Sequence, residues 1–126
     1  SSWELTFMNF CDNNPNIFAW ASEPVKITYQ NPLNGKVTAY VPDFVVVYQD
    51  KAGKKQAELI EIKPSAQADP RLARARVEKA QVIQNYAKWD AATKWCNKRN
   101  MRFRVLTEGD IYSNTRKPKP VKRKKK

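Results

Sequence analysis

The feature that most restricts the fold is a pair of apolar segments separated by a tight polar turn. Phe44 to Tyr48 is an unbroken apolar run, and a short run of that kind between turn residues suits a central strand covered on both faces. Asp50 to Lys55, with Gly53, reads as the turn. Ala57 to Ile62 reads as the next strand. Strands joined so closely are neighbours as a rule.

The rest of the chain supplies what such a sheet needs. Trp3 to Asn13 is predicted helical, because Trp3, Phe7 and Phe10 fall at i, i+4 and i+7 and Asn13-Asn14-Pro15 stops the pattern. Ile17 to Trp20 is a turn or the start of a strand. Val25, Ile27 and Tyr29 alternate with polar residues, as do Val37, Ala39 and Val41, with Asn31-Pro32 and Asn34-Gly35 turning between them. Residues 64–70 read as a linker. A helical segment follows over 71–100, with Ala80, Ile83, Ala87 and Ala91 as its stripe and Val82, Tyr86, Trp89 and Cys96 beside it. Arg102 to Leu106 is a last strand, and Asp110-Ile111-Tyr112 begins a final helical turn. With 126 residues, 41% of them hydrophobic, this describes one α/β domain over residues 1–115, a mixed central sheet flanked by helices.

The charge is unevenly spread. The net charge is +12, from 24 basic and 12 acidic residues. Residues 116–126 carry eight of the basic ones and no acidic one, including Lys122, Arg123, Lys124, Lys125 and Lys126. A block of like charge cannot bury itself, so residues 116–126 are expected to be a disordered tail. It suits an electrostatic arm for nucleic-acid phosphates; a solubilising end or a localisation signal fits the same residues. The absence of histidine removes every His-based triad and His general base. Cys11 and Cys96 lack metal-ligand spacing, which makes a zinc site a poor fit. No apolar run is long enough to span a membrane, and a reducing, intracellular setting is the default expectation.

The chemistry concentrates at Pro42-Asp43 and Glu61-Ile62-Lys63. Side chains at i and i+2 of a strand share a face, so Glu61 and Lys63 point one way while Ile60 and Ile62 point the other. Pairing of the two strands brings Asp43 near Glu61. Carboxylate oxygens are hard ligands that suit Mg²⁺, with Mn²⁺ as a substitute, and phosphate oxygens and water complete the shell. A lysine beside them can hold the attacking water or stabilise charge on a phosphate in transition. Ordinary strand and turn positions would also accept these residues.

Val41-Pro42-Asp43-Phe44, followed by Leu59-Ile60-Glu61-Ile62-Lys63-Pro64, resembles the core signature of the PD-(D/E)xK nuclease superfamily. Trp3-Glu4, Ala19-Trp20-Ala21-Ser22-Glu23, and the closing segment 95–108 narrow the likeness to the head completion nucleases of T-even-type tailed phages, over about residues 3–112. The resemblance implies a restriction-endonuclease-like fold and phosphodiester cleavage. It implies a role late in head assembly, trimming or cutting packaged DNA before tails join, in the host cytoplasm or on the virion, with head or neck proteins as partners. It also implies that Glu4, at the position of a first-helix glutamate, joins Asp43 and Glu61 at the metal. Glu23 is a further candidate that fits a strand-edge charge equally well. The Gln-x-x-x-Tyr element of some superfamily members does not carry over, since Gln81 and Tyr86 are five apart. Arg71, Arg74, Arg76 and Lys79 either line the DNA path or form a solvated helix start. Rival functions on the same fold are a transposon end-cutting endonuclease, a Holliday-junction resolvase, and a non-catalytic DNA-binding head–tail protein.

Overall fold

The computed structural model describes residues 2–115. Helix α1 (Ser2–Asn13) leads into strands β1 (Ile17–Ser22), β2 (Ile27–Gln30), β3 (Val37–Tyr40), β4 (Phe44–Gln49) and β5 (Lys55–Ile62). Then come the short helix α2 (Ser65–Ala68), the long helix α3 (Arg76–Asn97), β6 (Arg102–Leu106) and α4 (Glu108–Thr115). Four strands form a sheet in the order β1-β4-β5-β6, while β2 and β3 pair separately. β4 is antiparallel to β1 and β5, whereas β5 and β6 are parallel. A parallel pair needs a crossover, and α3 supplies it. The expected mixed sheet with flanking helices is therefore present. Residues 116–126 lie outside the described residues.

Side-chain parity divides the core. Phe44, Val46, Ile60, Ile62 and Leu106 face α1 and α4, where they meet Phe7, Cys11 and Ile111. Leu59 faces the other way, into a cluster with Trp89, Ala92 and Cys96 of α3 and with Ile27, Tyr29 and Tyr40 of the β2–β3 hairpin. Ile60 and Ile62 thus lie opposite the layer of Glu61, as strand periodicity requires. Glu58 shares the α1 face and is buried there, accepting hydrogen bonds from the Tyr48 hydroxyl and from Arg104 Nη1 at 3.2 Å.

Several local expectations change. Residues 17–22 form a complete edge strand paired with β4. The expected linker contains α2, and α3 begins only at Arg76, where Glu78 reaches back to accept the amides of Arg74 (2.8 Å) and Ala75 (3.1 Å). α3 buries Val82, Asn85, Trp89, Ala92 and Cys96, and leaves Ile83 of the expected stripe 51% exposed. In β3 the parity is reversed, with Tyr40 buried and Val37 68% exposed. The register explains it: Tyr40 lies opposite Ile27, while Val37 and Ala39 lie opposite Gln30 and Thr28. Directly opposed residues share a face, so the small apolar residues of β3 follow their polar partners outward.

Candidate active site

The site is built where β4 begins and β5 ends. Pairing of Phe44 with Ile60 sets Asp43 against Glu61 one step further along the ladder. Pro42, fully buried, anchors the approach to β4. Asp43 does not simply point into solvent: its Oδ2 accepts the Ile62 amide at 2.7 Å. Glu61 is 4% exposed. Its Oε1 accepts the Tyr40 hydroxyl at 2.8 Å, and its Oε2 lies 3.6 Å from Lys63 Nζ. β6 steadies the lysine, since the Lys63 amide donates to the Leu106 carbonyl at 3.0 Å. The chain just beyond is tied down by Glu108, which accepts the Ser65 amide at 2.9 Å.

This crowding sets the electrostatics. Burial pushes Glu61 up to about 7, and the charge of Asp43 pushes the same way; the Tyr40 hydrogen bond, Lys63 and Lys88 oppose them. Asp43 is raised from the ordinary carboxylate value chiefly by burial, against the pull of the Ile62 amide. Glu4 and Glu23 raise it further, while Lys63 lowers it. Tyr40 is held far above the ordinary phenol range by burial and by the adjoining Glu61. A buried carboxylate, Glu61, beside the half-buried Asp43 whose charge disfavours its own, suits a cation between them.

The structure therefore draws Asp43, Glu61 and Lys63 together. Glu4, in the first turn of α1, and Glu23, just after β1, stand within electrostatic reach of Asp43. Glu23 is fixed by its amide, which donates to the Asp43 carbonyl at 2.8 Å, and takes a left-handed backbone with φ of 47°. That conformation is costly for a residue with a Cβ. Among the described residues, no three Asp, Glu, His or Cys side chains converge as a ready metal cage. Arg71 is engaged by Asp69 at 2.7 Å. Arg74, Arg76 and Lys79 are exposed around the start of α3. Lys122, Arg123, Lys124, Lys125 and Lys126 lie outside the described residues. Gln81 is exposed, and the Tyr86 hydroxyl donates to the Ala68 carbonyl. Sequence reading missed Tyr40 and Lys88; pairing Ile27 with Tyr40 would have turned the tyrosine inward.

A cavity of about 520 Å³ lies on the other face of the sheet, between Phe7, Phe10, Val46, Glu58 and Ile111, and Asp43, Glu61 and Lys63 do not line it. The carboxylates instead lie at the end of the two central strands, where β4 begins and β5 ends. A mixed four-stranded sheet flanked by helices in this order is a restriction-endonuclease-like fold. The family model for the TnsA-like endonuclease N-terminal domain matches residues 14–108, and the chain belongs to that family. It is also 35% identical over 121 residues to the head completion nuclease of Enterobacteria phage T4, an alignment covering 88% of this chain and 78% of the phage protein. No solved structure matches the chain at a significant level.

Proposed function

We propose that the chain is a divalent-metal-dependent deoxyribonuclease that hydrolyses phosphodiester bonds in packaged DNA during phage head completion, before head and tail join. The observation that carries the chemistry is the opposed pair of half-buried Asp43 and buried Glu61, with Lys63 against the latter. The assembly role rests on the similarity to the phage T4 protein, and with it the host cytoplasm or virion as the place of action and head or neck proteins as partners. In this reading residues 1–115 form the nuclease domain, and residues 116–126 act as its phosphate-seeking arm.

The donor set fits Mg²⁺ or Mn²⁺. These ions need one or two carboxylates and draw their remaining ligands from water and phosphate, so Asp43 and Glu61 suffice without a complete protein cage. Bound there, the ion supplies Lewis acidity toward phosphate and eases deprotonation of water. Tyr40 holds one oxygen of Glu61 and leaves the other toward Lys63. Lys63 donates to the attacking water or to the charge that builds on the phosphate. Glu4 extends the acidic shell from α1, and Glu23 is the weaker contributor, acting on Asp43 from outside.

The test is incubation with linear and covalently closed circular DNA in Mg²⁺, Mn²⁺ or EDTA. Both ions are expected to support cleavage and EDTA to abolish it; full activity in EDTA would overturn the metal-dependent reading. Cutting of the closed circle is expected from the endonuclease family match. Lys63→Ala is expected to lose about 100-fold in rate or more while still binding Mn²⁺ by calorimetry. Deleting residues 116–126, which hold eight basic residues, is expected to flatten the dependence of log affinity on log salt. Identical slopes for the full and shortened chains would remove the arm.

A further inference from the structure

Helix α3 brings a second lysine to the carboxylates. Lys88 is partly buried, and its Nζ stands 5.7 Å from the centroid of the Tyr40 ring. The hydroxyl of that ring is bonded to Glu61 Oε1. One side chain therefore supports both Lys88 and Glu61, on the Oε1 flank of the carboxylate, whereas Lys63 occupies the Oε2 flank. One turn earlier on α3, Gln84 donates to the Tyr29 hydroxyl at 2.9 Å. This edge of the helix thus runs along the β2–β3 hairpin, with Lys88 at the end nearer the acidic pair.

Among the described residues, no carboxylate lies in ion-pair contact with Lys88. The π face of a tyrosine offers an ammonium a seat without neutralising it. A partly desolvated ammonium in such a place favours an incoming anion. The seat of Lys88 on the ring whose hydroxyl bonds Glu61 places an anion it attracts near the acidic pair. On a chain that acts on DNA, the anion of that size and abundance is a backbone phosphate.

We propose that Lys88 is a substrate-binding residue that takes a DNA phosphate next to the one that is cut, so that the substrate strand lies between the β2–β3 hairpin and the Lys63 end of β5. This rests on the nuclease reading above. Lys63 and Lys88 then divide the work: Lys63 acts on the reacting phosphate, and Lys88 sets the register of the strand. The contact is made to the backbone, so it strengthens binding equally for any base sequence.

The experiment uses the full chain with Lys88→Gln, Lys88→Met and Lys88→Arg. Lys88→Met keeps an apolar stem against Tyr40 and serves if the glutamine variant folds poorly. DNA affinity is measured in EDTA across a salt series, cleavage kinetics in Mg²⁺, and Mn²⁺ affinity by calorimetry. Loss of the charge is expected to raise KM about tenfold, to change kcat less, and to reduce the salt slope by about one. Mn²⁺ affinity is expected to stay within about twofold, since Lys88 is not a ligand, and Lys88→Arg to restore most of the binding. An unchanged KM and salt slope in both uncharged variants would overturn the proposal. So would a fall in Mn²⁺ affinity with an unaltered salt slope, which would make Lys88 a support for Glu61. If the wild-type chain binds DNA but never cleaves it, the nuclease reading fails by itself, and the salt slopes still decide whether Lys88 meets phosphate.

Discussion

Glu61→Gln is expected to abolish cleavage and, without added metal, to make the protein more stable at pH 8. Both effects come from one side chain. Burial and the facing Asp43 push Glu61 from 4.5 up to about 7 in the folded protein. Below pH 4.5 the group is protonated whether the chain is folded or not, and it contributes nothing to the difference. Between pH 4.5 and 7 the unfolded chain releases its proton first, so the folded state holds more protons and stability falls as pH rises. Above pH 7 the full penalty remains, on the order of 3 kcal/mol. Asp43, also raised, adds to it in the same direction. Glutamine carries no charge at any of these pH values and still accepts the Tyr40 hydroxyl. Thermal melts from pH 4 to 8 are therefore expected to be flatter for the variant, and Mg²⁺ is expected to stabilise the wild type alone. Asp43→Asn, which keeps an acceptor for the Ile62 amide, is expected to be equally inactive. Cleavage by either purified variant at the wild-type rate would strike that residue from the proposed metal site, and parallel pH–stability curves would show that Glu61 carries no buried penalty.

Phe44→Ala is expected to cost about 3–5 kcal/mol of folding stability. Phe44 is 1% exposed and packs its ring 4.9 Å from that of Phe7 and 6.0 Å, edge-on, from that of Trp20. It follows Asp43 directly, so it joins α1, the edge strand and the strand that starts at the site. A domain of this size has roughly 5–15 kcal/mol in all, and the variant is expected to be partly unfolded at 37 °C. Urea titration with far-UV circular dichroism measures the loss. A change below about 1 kcal/mol would mean that α1 does not pack on β4 as described.

The acidic pair and its lysine were legible because strands obey a period of two. Once Phe44–Tyr48 and Ala57–Ile62 read as neighbours, the placement of Asp43, Glu61 and Lys63 followed from parity and register. α3 was harder to read because alanines give its sequence two weakly apolar faces. Ala80, Ile83, Ala87 and Ala91 form as good a stripe as Val82, Trp89, Ala92 and Cys96, and only the sheet decides between them. Buried Asn85, whose side-chain amide donates to the Gln67 carbonyl at 3.1 Å, disguises the true face further. β3 misled for a related reason: Val37 and Ala39 suggested an inward face, but cross-strand pairing with Gln30 and Thr28 turned them out and Tyr40 in. Tyr40 and Lys88 are thus products of tertiary packing, which no local pattern announces.

The hairpin that carries Tyr40 belongs to a sheet of its own. A two-stranded ribbon is barely stable by itself, so β2 and β3 depend for their order on α3 and on the Tyr40–Glu61 hydrogen bond. That bond makes the hairpin a gauge of its neighbour. A change in the protonation of Glu61 is expected to reach, through one hydroxyl, a ribbon that is marginal by itself. Backbone amides of β2 and β3 are therefore expected to exchange with solvent at a rate that follows the state of that carboxylate.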